Sequence, residues 1–78
     1  MNEAKKLLTE ISKGDISENE QNLLTGGIID SLDVMELVEL ISKKFGEVNA
    51  SDINSSDFES ISAINSLINR IKAKNDWI

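Results

Sequence analysis

The chain has 78 residues, with 14 acids against 8 bases and no histidine, cysteine or proline. That length predicts one small domain, residues 1–78, with a modest core. The missing residues exclude a disulfide framework, a thiolate metal site and histidine-assisted catalysis, and a formal charge of −6 argues against binding nucleic acid through its phosphates.

Ala4, Leu7, Leu8 and Ile11 follow the i, i+3, i+4, i+7 spacing of a first helix, with Gly14 placed to end it. A polar loop runs from Asp15 to about Asn22. It then gains apolar anchors at Leu23, Leu24, Ile28 and Ile29, with Gly26-Gly27 supplying backbone freedom between them. A connection this long is uncommon in a small domain unless it is functional or packed by its own side chains. The anchors predict that it crosses the bundle and packs against it.

The second helix is predicted over Ser31 to Phe45. Asp30 can cap it, Asp33 complements the positive end of its dipole, and Gly46 ends it. On a helical wheel Val34, Leu37, Val38, Ile41 and Phe45 form a core stripe. The opposite half carries Leu32, Met35, Glu36, Glu39, Ser42 and Lys43, and Leu40 falls between the two. Two large apolar residues ringed by carboxylates suit a transient docking surface. Met35 points farthest from the stripe, whereas Leu32 fits either that surface or a place under the preceding loop.

A weak helical turn follows, from roughly Ser51 to Phe58, with Ile53 and Phe58 as its core contacts. The last helix starts near the capping Ser60 and aligns Ile61, Ile64, Ile68 and Ile71 on one face, which Leu67 widens. The tail Lys74 to Ile78 reads as frayed, with Trp77 a local packing contact. No alternating run supports a strand. The expectation is an all-α four-helix bundle: three longer helices, one short one, and a long loop between the first and second. No apolar run is long enough to cross a bilayer, and the N-terminus does not lead into a signal-peptide core. The expected location is the cytoplasm, without membrane insertion, and the expected state is a monomer.

Charge is unevenly placed. Seven acids (Asp15, Glu18, Glu20, Asp30, Asp33, Glu36, Glu39) lie between Asp15 and Glu39 with no Lys or Arg among them. A one-signed surface steers basic partners. It also simply keeps a small protein soluble, but that does not explain why the acids gather around Ser31.

Ser31 admits three readings. As a hydrolase nucleophile it lacks an imidazole and a Ser-x-x-Lys spacing. As a helix cap it is an ordinary serine. As a covalent attachment site it has the right setting, at a helix start beside acids and apolar contacts. The spacing of Asp52, Asn54 and Ser56 hints at a calcium loop, but the glycine is absent and Ala63 stands where the closing Glu belongs. Glu36 and Glu39 on an exposed face read as solvated surface rather than an acid–base pair. The sequons at Asn49 and Asn54 carry no weight without a secretion signal.

Ile29-Asp30-Ser31-Leu32-Asp33, followed by Val34-Met35-Glu36-Leu37-Val38, resembles the attachment region of acyl carrier proteins. The resemblance spans nearly the whole chain, including the long loop, the Lys43-Lys44-Phe45-Gly46 helix end and the Asp57-Phe58-Glu59-Ser60-Ile61 segment. It implies 4′-phosphopantetheine, derived from coenzyme A, on the Ser31 hydroxyl, since only Ser31 lies between Asp and Leu. It also implies a non-enzymatic carrier whose cargo is a thioester on the pantetheine thiol, so neither cysteine nor histidine is needed. Asp30 takes the flanking position. Leu32, Asp33, Met35, Glu36 and Glu39 take the partner face. The implied partners are a phosphopantetheinyl transferase, an acyl- or aminoacyl-loading ligase, and acyltransferases or synthases. Val34, Leu37, Ile41, Ile53, Ile61, Ile64 and Ile68 are the implied walls of an interior that shelters an acyl chain; the alternative is an ordinary filled core, which suits a short or polar cargo.

Two departures bear on the pathway. Ile28 stands where many fatty-acid carriers have Gly, and Val48-Asn49 replaces the usual Ile-Pro. The chain looks more like discrete secondary carriers, D-alanine carriers among them, than the main fatty-acid carrier. Fatty-acid, D-alanine, polyketide and surface-polymer pathways stay open at this point. The competing reading, from another class, is an acidic helical adaptor for a basic partner, with Ser31 only a helix cap.

Overall fold

The computed structural model describes residues 2–76. Among them every regular element is helical: α1 (Glu3–Glu10), α2 (Ser31–Phe45) and α3 (Ile61–Asp76), with two 3-10 turns, Ala50–Asp52 and Ser55–Phe58, between α2 and α3. The expected short fourth helix is therefore replaced by two separate turns, and the four-helix description is corrected to three helices. The segment holds Asn49, Ser51, Asp52, Asn54, Ser55 and Asp57. Such short polar side chains compete for the backbone's own hydrogen bonds and favour turns over helix. Asp52 and Asp57 do so here, accepting the N–H of Asn49 and Asn54 at 2.8 Å each. Ile53, between the turns, is extended.

α3 packs against α1, α2 and the Ser55–Phe58 turn, so it organises the domain. Its buried Ile61, Ile64, Leu67, Ile68 and Ile71 meet Ala4, Leu7 and Leu8 of α1, Leu37 and Ile41 of α2, and Phe58 in one core cluster. Burial of such side chains contributes about 1.5–3 kcal/mol each. Asn65 ties α1 to α3 by accepting the Ala4 N–H at 2.9 Å and donating to the Asn2 carboxamide at 2.8 Å. Arg70 and Lys74 hold the 3-10 turns onto α3 through Asp57 and Asp52.

Helix ends follow the sequence closely, with one exception. Gly46 caps α2 at φ 133°, ψ 164°, a region open almost only to glycine. A Cβ there would also sit 2.5 Å from the Asn75 side chain. Ser60 opens α3 by accepting the Ala63 N–H at 3.0 Å. α1, however, does not run to Gly14. Ser12 takes the left-handed conformation at φ 67°, and the Lys13 and Ser12 N–H groups return to Leu8 and Thr9 at 2.7 and 3.1 Å. This is a Schellman closure built on a serine.

The long α1–α2 connection is pinned to the body, as its apolar anchors imply. Leu23 and Ile29 are buried, and Leu24 and Ile28 are half-buried. Ile16, inside the stretch read as a polar loop, is buried as well, and Lys5 donates its ammonium to the Ile16 carbonyl. Trp77 lies outside the described residues. Among the described residues no helix is long and apolar enough to cross a membrane.

Candidate functional site

α2 begins with a reciprocal cap. The Asp30 carboxylate accepts the Asp33 N–H at 3.0 Å, and the Asp33 carboxylate accepts the Asp30 N–H at 3.0 Å. This capping box satisfies two N–H groups that the first turn leaves free. Ser31 is the first helical residue, exposed, and outside that exchange. The reading of Ser31 as the cap is thus overturned: Asp30 holds that position.

The carboxyl of Asp30 is held below its ordinary value of 3.8, chiefly by the hydrogen bond from the Asp33 backbone. Asp33 has a different fate from the one expected of it. It is only 9% exposed, turned into the cap, with Lys13 Nζ 3.7 Å from its carboxylate. A buried carboxylate needs such partners, and Asp33 still lines the groove that Leu32, Met35, Glu36 and Glu39 border. Lys13 also donates to the Ile28 carbonyl at 3.3 Å, so a base from outside the acidic stretch anchors the segment leading into Ser31. Sequence reasoning missed this residue because nothing local relates position 13 to position 33.

The rest of the expected partner face does lie outward. Leu32 is 67% and Met35 65% exposed, and Glu36 and Glu39 are exposed beside them. Leu32, Met35, Glu36 and Glu39 border one shallow surface groove of about 650 Å³. The stripe on the other side is buried at Leu37 and Ile41 and half-buried at Val34, Val38 and Phe45. Ser42, expected on the outer half, is half-buried and accepts the Val48 N–H at 3.2 Å, closing the turn after α2.

A second, smaller groove of about 290 Å³ runs beside Ser31 and is lined by Leu24, Val34, Ile53 and Phe58, with Asn54 and Ser55. Of the side chains expected to wall an interior, Val34 and Ile53 reach this groove. Leu37, Ile41, Ile61, Ile64 and Ile68 are at most 1% exposed and belong to the packed core cluster.

These features fit one class of protein, a small helical carrier with a hydroxyl on a helix tip. An exposed primary alcohol at the first residue of a helix can hold a phosphate ester where backbone N–H groups favour negative charge. The two nearby acids are engaged with each other's backbone, and the adjacent groove gives an apolar surface for a tethered arm. The residues present therefore fit a phosphopantetheine group.

Comparison with protein families gives the same answer. Residues 5–71 match the model of the phosphopantetheine attachment site, and the chain belongs to that family. Its prosthetic group is 4′-phosphopantetheine, and its role is that of a carrier. Carrier domains of this family are not themselves catalytic and work with phosphopantetheinyl transferases and biosynthetic enzymes. No curated protein and no solved structure matches the chain with significance.

Glu59 is a further site residue that the sequence did not disclose. It lies between the second 3-10 turn and α3, yet its carboxylate reaches Leu24 and Thr25 in the loop before Ser31. Thr25 and Glu59 are far apart in sequence, and no periodicity links them.

Proposed function

We propose that Ser31 is the attachment serine and that the chain carries an acyl or aminoacyl group as a thioester on its phosphopantetheine arm, presenting it to successive biosynthetic enzymes. The observation that carries this reading is the exposed Ser31 hydroxyl on a helix start already capped by Asp30 and Asp33. A serine relieved of capping is free to be esterified without unravelling the helix. The arm, once bound, supplies a thiol that this cysteine-free chain does not have.

In loading, the Ser31 oxygen takes the phosphoryl end of the arm from coenzyme A. The new O–P bond forms as the phosphoanhydride bond of coenzyme A breaks and adenosine 3′,5′-bisphosphate leaves. The hydroxyl proton goes to a base of the transferase, since the chain has no histidine and the carboxylates beside Ser31, Asp30 and Asp33, are engaged in the helix cap. Leu32, Met35, Glu36 and Glu39 form the docking face: the apolar pair gives a small desolvated contact, and the carboxylates orient a basic partner and speed its arrival. The protein acts as a cytoplasmic monomer, as a single domain over residues 1–78, with the transferase, a loading ligase, and acyltransferases or synthases as its partners.

The departures at Ile28 and Val48-Asn49 favour a discrete carrier outside the main fatty-acid pathway. The packed core and the small groove beside Ser31 favour a short or polar cargo over a long chain threaded through the interior.

The test is mass spectrometry after incubation with a phosphopantetheinyl transferase, coenzyme A and magnesium. A mass gain on the wild type that is absent in Ser31→Ala supports the assignment. A gain that persists in Ser31→Ala moves the attachment elsewhere.

A further inference from the structure

Residue 59 grips three consecutive loop residues from beyond the second 3-10 turn. Its main-chain carbonyl accepts the Leu23 N–H at 3.0 Å. One carboxylate oxygen accepts the Leu24 and Thr25 N–H groups at 3.1 Å each, and the other accepts the Thr25 hydroxyl. The Leu23 carbonyl in turn accepts the Ile29 N–H at 3.0 Å. The main-chain bond passes restraint through Leu23 to Ile29, which leads directly into Asp30 and Ser31, and the carboxylate restrains the turn in between at Thr25 and at Leu24, which lines the groove beside Ser31. Between these points the loop closes on itself, with Gly26 N–H on the Asn22 carbonyl at 2.6 Å and Gly27 at φ 78°. The Glu59 carboxyl is held below its ordinary value of 4.5, first by the Thr25 hydroxyl and then by the Thr25 N–H.

We propose that Glu59 is a positioning residue for the loading of Ser31: by clamping residues 23–25 it fixes the chain that enters α2 and presents the serine hydroxyl in a single geometry. The proposal rests on the reading of Ser31 as the attachment serine. Without the clamp, Leu24 and Thr25 lose their acceptor and the loop samples more conformations. The ordering then falls on the reacting complex, where small displacements of a nucleophile slow the reaction strongly. The docking face on α2 has no bond to Glu59, so the loss falls on kcat and leaves KM for the carrier nearly unchanged.

Three substitutions separate reach from charge. Glu59→Gln keeps a carbonyl oxygen for the two N–H groups and gains an N–H for the Thr25 hydroxyl. Glu59→Asp keeps the charge but is one methylene short. Glu59→Ala removes the acceptor altogether. Loading is followed by mass spectrometry over a range of carrier concentrations, with helicity checked by circular dichroism. The expected order is Glu59→Gln within about twofold of wild type, and Glu59→Asp and Glu59→Ala lower in kcat by about tenfold or more with KM held. Should Glu59→Ala fail to fold, Thr25→Val, which removes only the hydroxyl, is expected to lower kcat by about twofold to threefold.

Folded variants that all load with wild-type kcat and KM overturn the clamp alone. So does a ranking in which Glu59→Asp outperforms Glu59→Gln. A wild-type chain that gains no mass under the same conditions overturns the carrier reading, and the clamp with it.

Discussion

Leu32 and Leu37 share one helix and one side chain, yet the first is 67% exposed and the second is fully buried. The face of α2 that carries Leu37 and Ile41 is covered by α1 and α3 and contributes to holding the fold together. The face that carries Leu32 and Met35 is left in water beside Glu36 and Glu39, where it costs solubility and stabilises nothing in the free protein. An exposed apolar pair ringed by carboxylates is what the proposed docking face requires. On the proposed reading the helix is divided lengthwise between structure and docking, with Ser31 opening its outer half.

The sharpest test of this division is Ser31→Ala. Loading is expected to vanish, while stability changes by no more than about 0.5 kcal/mol, because Asp30 and Asp33 make the cap. Calorimetry beside mass spectrometry checks both halves, and a large loss of stability would return Ser31 to a structural role.

Next in size is the leucine pair. Leu37→Ala is expected to cost about 2–5 kcal/mol in urea unfolding, since it opens a cavity in the core. Leu32→Ala is expected to stay within about 0.5 kcal/mol and to slow loading instead. Equal losses of stability would erase the distinction between the faces.

The charge on the outer face is tested by Glu36→Lys with Glu39→Lys. The expected result is a drop of about tenfold in kcat/KM for loading, shrinking as salt is raised, with helicity unchanged. A rate that is unaffected at low salt would remove electrostatics from the docking argument.

The smallest effect is expected from acid. The Asp30 carboxyl is lowered in the folded protein, mainly by the Asp33 backbone N–H. Its contribution is therefore present above the ordinary value of 3.8 and is lost as pH falls through the lower native value. Asp30→Asn keeps a capping oxygen but does not titrate, so its thermal midpoint should fall less steeply than the wild type's over that acid range. Parallel slopes would show that other carboxylates, Glu59 and Asp52 among them, dominate the acid response.

The sequence by itself determined the helical class, the extent of α2 from about Ser31 to Phe45, the stop at Gly46 and the cap at Asp30. All of these rest on local rules: a 3.6-residue period, the rotational freedom of glycine, and an oxygen placed to meet the first free N–H groups. Only the tertiary structure decided that Leu32 is exposed, that Asp33 turns inward to meet Lys13, that Ile16 is buried, and that Arg70 and Lys74 hold the two turns of the Ser51–Phe58 segment onto α3. It alone brought Glu59 to Thr25. These outcomes depend on side chains meeting across long stretches of chain, and a periodic pattern carries no record of which distant partner will be there.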